Sequence, residues 1–76
     1  MNVGLSEPVV IDSTALALAR YDTSQNLLEL EFRDGARYLY FAVPEAIHAS
    51  LLAATSKGAF FNRHIRNRFA FFRIGD

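Results

Sequence analysis

The residues best suited to chemistry lie in one stretch, Lys57 to Arg73. There Lys57, Arg63, Arg66, Arg68 and Arg73 are interleaved with Asn62, Asn67 and several phenylalanines. Ammonium and guanidinium groups bind phosphate oxygens, amides donate and accept at base edges, and aromatic rings stack on unpaired bases. The mixture therefore suits RNA or another single-stranded nucleic acid. Ser56 is a good N-cap for a helix beginning at Lys57. Such a helix would turn the backbone N–H groups around Lys57 and Gly58, with the positive end of the helix dipole, toward a phosphate, and Gly58 would let the ligand approach closely. The segment is not a P-loop, because the glycine-rich run before the lysine and the Ser/Thr after it are missing. The competing reading is a solvated helix face, with Arg68 and Arg73 paired to acidic residues elsewhere in the fold.

Other reactive side chains form no signature. His48 and His64 are the two histidines, with no cysteine in the chain, and they lack the spacing that converges three or four ligands on a metal. The serines stand in no recognisable relation to a base and an orienting acid, and Glu29 and Glu31 read as solvated charges on one face of a strand rather than an acid–base pair. The sequence thus points to a binding module and not an enzyme, with no cofactor and no metal.

These side chains need a scaffold, and the chain has material for one domain: 76 residues, 51% of them apolar. Eight basic and eight acidic residues cancel, so overall charge does not drive the protein onto nucleic acid, but the distribution is uneven. Residues 1 to 38 carry Arg20, Arg33 and Arg37 against six carboxylates, whereas residues 39 to 76 carry five cations against Glu45 and Asp76. The absence of cysteine suits a reducing compartment, and the cytoplasm is the expected location. The first residues show neither a signal peptide nor a membrane span, and residues 1–12 are expected to form a flexible tail before a single domain over residues 13–74.

Leu27 to Arg33 alternates apolar and polar residues with the period of a half-buried strand, and Asp34-Gly35 marks a turn into Arg37 to Val43. Two hairpin registers compete. A two-residue loop leaves Tyr38 and Tyr40 on the solvent face, where they could form a base-stacking platform. A three-residue loop, Arg33-Asp34-Gly35, pairs Glu31 with Arg37 and Leu30 with Tyr38 and puts both tyrosines on the face of Leu28, Leu30 and Phe32. The second is preferred because it sets opposite charges across the strands. Ala15 to Tyr21 is composed like a helix, yet its shortness and the polar cluster Asp22 to Asn26 favour a strand. Pro44 predicts a helix start, with Ile47, Leu51 and Ala54 at helical spacing, and a second helix is expected from Lys57 to about Arg66, burying Phe61 and Ile65.

The ordered set Ser13-Thr14, Tyr21-Asp22, Leu28-x-Leu30-x-Phe32-x-x-Gly35, Tyr38-x-Tyr40, Val43-Pro44, Ser56-x-Gly58-x-x-Phe61-Asn62 and Ile65-Arg66 resembles the KTSC domain family over about Ser13 to Phe72. That family takes its name from a segment at the C-terminus of some lysyl-tRNA synthetases, and it also occurs as short stand-alone bacterial proteins. The position between the two tyrosines, often polar in the family, is Leu39 here. The resemblance implies RNA binding through the synthetase context and carries no assigned catalytic activity.

The expected architecture is α+β: a three-stranded antiparallel sheet, with Phe69 to Phe72 available as a fourth, edge strand, and two short C-terminal helices on one face. The expected nucleic-acid contacts are Lys57, Gly58, Asn62, Arg63, Arg66, Asn67, Arg68 and Arg73, with Tyr38 and Tyr40 as stacking residues if they face solvent. The alternative is a protein-interaction or self-associating module that makes its contact through Phe60, Phe69, Phe71 and Phe72.

Overall fold

The computed structural model describes residues 8–75. Its elements are strands β1 (Val9–Val10), β2 (Leu16–Asp22), β3 (Leu27–Phe32) and β4 (Arg37–Tyr40), helices α1 (Glu45–Ala53) and α2 (Lys57–Phe60), and strand β5 (Phe71–Ile74). The strands form one antiparallel sheet in the order β1-β2-β3-β4-β5. The α+β class is as expected, but the sheet has five strands rather than three or four.

The segment Leu16–Asp22 is a strand despite its alanines and leucines because its end is locked into a turn. The Asp22 carboxylate accepts from Ser24 N–H at 2.9 Å, Ser24 Oγ–H at 2.7 Å and Gln25 N–H at 3.3 Å. Asn26, at φ 56°, completes the reversal, a conformation asparagine tolerates better than most side chains. The next reversal is the three-residue one. Phe32 N–H donates to Ala36 C=O at 2.8 Å, Gly35 has φ 94°, and the register pairs Leu30 with Tyr38 and Glu31 with Arg37. The tyrosines therefore share the inner face with Leu28 and Leu30, and the solvent-facing platform does not form. The expected charge pairing is displaced by one neighbour: Arg37 reaches Glu29 at 3.6 Å, and Arg20 approaches the same carboxylate at 3.8 Å.

Two expectations at the chain ends need correction. Residues 1–7 lie outside the described residues, but Val9 and Val10 pair with β2 and Ile11 is only 1% exposed. Arg33 anchors this segment, donating from Nη2 to Ile11 C=O at 2.7 Å and from Nε to Ser13 C=O at 3.0 Å. An apolar residue held this way adds to a core that a small domain has difficulty filling. At the other end the edge strand is Phe71–Ile74, shifted two residues along, because Phe69 turns inward against the core.

Both helices cover the inner face, where Leu51, Phe61 and Ile65 meet Leu28, Leu30 and Tyr40. Pro44 occupies the cap before α1, with extended ψ of 148°, rather than the first helical position. Ser56 caps α2 as expected, its Oγ accepting from Ala59 N–H at 3.2 Å. The expected single helix changes character at Phe61. Residues Phe61–Ile65 form a wide π turn closed by Arg66 N–H donating to Phe61 C=O at 2.8 Å. Asn67, at φ 62°, then directs the chain toward β5.

Candidate nucleic-acid interface

The inner face is not fully covered. Between α2 with its π turn and the β3–β4 hairpin lies an open cleft of about 470 Å³, a size at which small organic groups bind. Its aromatic lining is Phe32, Tyr38, Tyr40, Phe61 and Phe71, and its polar lining is Asp34, Asn62, Arg66 and Asn67. The rings are mutually packed. Tyr38 lies 5.8 Å from Phe32 and 5.6 Å from Phe71, and Tyr40 lies 5.7 Å from Phe71 and 6.0 Å from Phe61, between ring centroids. Such spacings are those of favourable edge and tilted contacts, so the rings form a fixed floor rather than adaptable side chains.

The sequence-predicted residues divide around this cleft. Gly58, Asn62, Arg66, Asn67, Tyr38 and Tyr40 all line it. Arg66 Nη1 donates to Asn62 Oδ1 at 3.4 Å, which orients the guanidinium along the rim and leaves the Asn62 amide nitrogen as a donor. Arg73 stands beside the cleft, cross-strand from Tyr38, with its guanidinium carbon 5.8 Å from the centre of that ring. A cation over a tyrosine face is held by the ring quadrupole.

Three residues fall elsewhere. Lys57 turns back, its Nζ donating to Ala54 C=O at 2.8 Å, and so caps the end of α1. Arg63 lies on the other flank of α2, in a shallow depression shared with Thr55, Ser56, Phe60 and His64. Arg68 is exposed beyond the π turn. The ion pairs of the described residues join Arg20 and Arg37 to Glu29, and neither Arg68 nor Arg73 takes part in them.

The wall residues Phe32, Asp34 and Phe71 were not named as site residues from sequence. Phe32 could have been, since its alternation with Leu28 and Leu30 puts it on the face of Tyr38. Phe71 depends on the β4–β5 register, which pairs it with Tyr40 and has no local signature. The four phenylalanines considered as a contact surface do not form one. Phe69 packs on the core with Phe60, Phe71 walls the cleft, and Phe72 stands 59% exposed beside Leu39 on the opposite face of the sheet.

Burial, with the nearby Tyr38, pushes the Tyr40 hydroxyl up to about 12, against the opposing pull of Arg66. At neutral pH it is a neutral donor at the base of the cleft. The cleft has a polarity along its length. Asp34 belongs to the hairpin turn, near Ala15 and Gly58, while Arg66 lies close enough to Tyr40 for its charge to act on that hydroxyl. From Ala36 to Tyr40 the strand runs about 13 Å.

The comparisons bear on this arrangement. A family model described as the KTSC domain matches residues 12–69. The chain belongs to the KTSC domain family. A protein of Tsukamurella paurometabola is 42% identical over 59 residues, covering 78% of this chain and 88% of that one. A crystal structure of a KTSC domain protein from Yersinia pestis superposes with a TM-score of 0.87 at 34% identity, covering 91% of this chain and 97% of the other. A lysine–tRNA ligase of Nostoc punctiforme is 39% identical over 51 residues, which is 67% of this KTSC domain but 9% of the ligase.

Proposed function

We propose that this KTSC domain is a non-catalytic module that binds single-stranded RNA, one base entering the aromatic cleft while the flanking backbone lies on Arg66 and Arg73. The observation that carries the reading is the cleft itself. Five packed rings, two side-chain amides and a guanidinium meet in one cavity large enough for a base. Proteins hold unpaired bases by stacking them on aromatic and guanidinium planes and hydrogen-bonding their edges, and they hold the strand by its phosphates. Arg63 and Arg68 extend the cationic surface on either side of the π turn. The segment shared with lysine–tRNA ligases, whose name joins them to tRNA, supports the same reading.

Fluorescence anisotropy with a labelled single-stranded RNA tests it. Micromolar affinity is expected, falling with salt at a logarithmic slope of about −2 for roughly three phosphate contacts. Tyr38→Ala is expected to weaken binding by about 1–3 kcal/mol through lost stacking, and Arg66→Glu to weaken it and flatten the salt slope. Binding indifferent to salt and to both substitutions would remove the cleft from consideration.

A further inference from the structure

We infer that the base taken by the cleft is guanine, read at one end by the Asp34 carboxylate while Arg66 at the other end holds the phosphate. The inference rests on the RNA-binding reading and adds base identity to it. Asp34 is the one carboxylate lining the cleft, and its Oδ1 accepts the Ala36 N–H at 3.0 Å. That bond fixes the carboxylate in the hairpin turn. It leaves most of the group's acceptor capacity unused, because an ionised carboxylate has about four lone-pair sites and no hydrogen to donate.

A carboxylate at the end of an aromatic slot selects for adjacent donors. Guanine presents N1–H and the N2 amino group side by side on one edge, matching the two oxygens of a carboxylate. Adenine and cytosine each offer an amino group next to an unprotonated ring nitrogen, which would face the carboxylate with its lone pair. Uracil places its N3–H between two carbonyl oxygens. Guanine also carries acceptors, O6 and N7, away from the carboxylate. Asn62 suits them: with its Oδ1 engaged by Arg66 at 3.4 Å, its amide nitrogen remains to donate. The polarity of the cleft then orders the ligand, donor edge toward Asp34 and anionic phosphate toward Arg66 and Arg73, as in a nucleotide and unlike a simple cation, which the two arginines would repel.

The experiment uses the full chain and short oligouridine strands with one central position varied among guanosine, inosine, adenosine and cytidine, the unvaried oligouridine serving as background. Guanosine is expected to bind tightest. Inosine, which lacks only the N2 amino group, is expected to lose about tenfold, within the discrimination that a good bidentate base contact provides. Asp34→Asn keeps the acceptor for Ala36 N–H and hence the turn, and is expected to abolish the guanosine preference while binding of the adenosine strand is unchanged. Binding without base preference overturns the guanine assignment and leaves the RNA reading standing, whereas no binding to any strand overturns both. A guanosine preference that survives Asp34→Asn also overturns the assignment. Guanosine 5′-monophosphate forms a further arm: it is expected to bind more weakly than the strand because it lacks the neighbouring phosphates, and equal affinity would overturn the assignment to a strand.

Discussion

At the residue scale, Ala42 carries the clearest local cost. Its φ of 58° lies in the left-handed region, disfavoured by roughly 1–2 kcal/mol for a residue with a Cβ. The neighbours impose it. Phe41 N–H donates to Ala70 C=O at 2.9 Å and Val43 N–H donates to Asn26 C=O at 2.9 Å, so consecutive residues are bonded to different parts of the fold. Glycine would remove the strain but lose about 0.4–1 kcal/mol through greater freedom in the unfolded chain. Ala42→Gly is accordingly expected to stabilise the domain by about 0.5–1 kcal/mol, read as a higher urea midpoint at unchanged slope. Nothing around Ala42 in the sequence signals the conformation, since alanine is no marker of it. Asn26 and Gly35 are residue types that do mark such positions, and both fell within turns expected from the sequence.

At the element scale, α1 is seated on the sheet by a pH-sensitive contact. His48 stacks on Tyr21 with ring centroids 4.8 Å apart, and its Nε2 is buried with no hydrogen-bond partner among the described residues. Burial lowers its pKa, against the opposing pull of the Glu45 carboxylate on the same helix. A base depressed in the folded state takes its proton more readily when unfolded. Stability is therefore unaffected well above the ordinary histidine value near 6.5 and declines as pH falls below it. The melting temperature is expected to drop from neutral pH toward pH 5, and His48→Phe, which keeps the aromatic stack, is expected to flatten that part of the profile. An unchanged slope in the variant would assign the acid sensitivity elsewhere. The helix itself was legible from Pro44 and the spacing of Ile47 and Leu51. The stack was not, because it joins residues far apart in sequence through a packing angle that no periodicity encodes. The same holds for the cleft. Asn62 and Arg66 were identified by type and spacing, whereas their meeting with Phe32, Asp34 and Phe71 required the relative placement of α2 and the hairpin.

At the scale of the whole molecule, a chain of 76 residues builds its core from few large side chains, so each counts heavily. Ile11 is the most informative, lying before the strand that sequence reasoning took as the first. Its burial joins the N-terminal segment to the core through Ala17 C=O, which accepts Ile11 N–H at 2.8 Å. Ile11→Ala is expected to cost about 2–4 kcal/mol, enough to leave a substantial unfolded fraction at ordinary temperature, measurable as lost cooperativity in thermal unfolding. The two outer strands were hard to read for a common reason. Val9–Val10 is too short to show a period, and Phe71–Ile74 is half-exposed on both faces of an edge, so neither displays the alternation that identified Leu27–Phe32.

The wide turn at Phe61–Ile65 acts as a one-residue spacer between folding and binding. In an uninterrupted α-helix each residue advances about 100° around the axis. Deleting Arg63 would let the segment close as ordinary helix, with isoleucine three places after Phe61 and still on its apolar side. Arg66 and Asn67 would then come round by about a quarter turn and leave the rim of the cleft. The shortened chain would keep its core and lose its grip on a ligand, so the extra residue is a place where the length of the chain, rather than its composition, decides what the domain can hold.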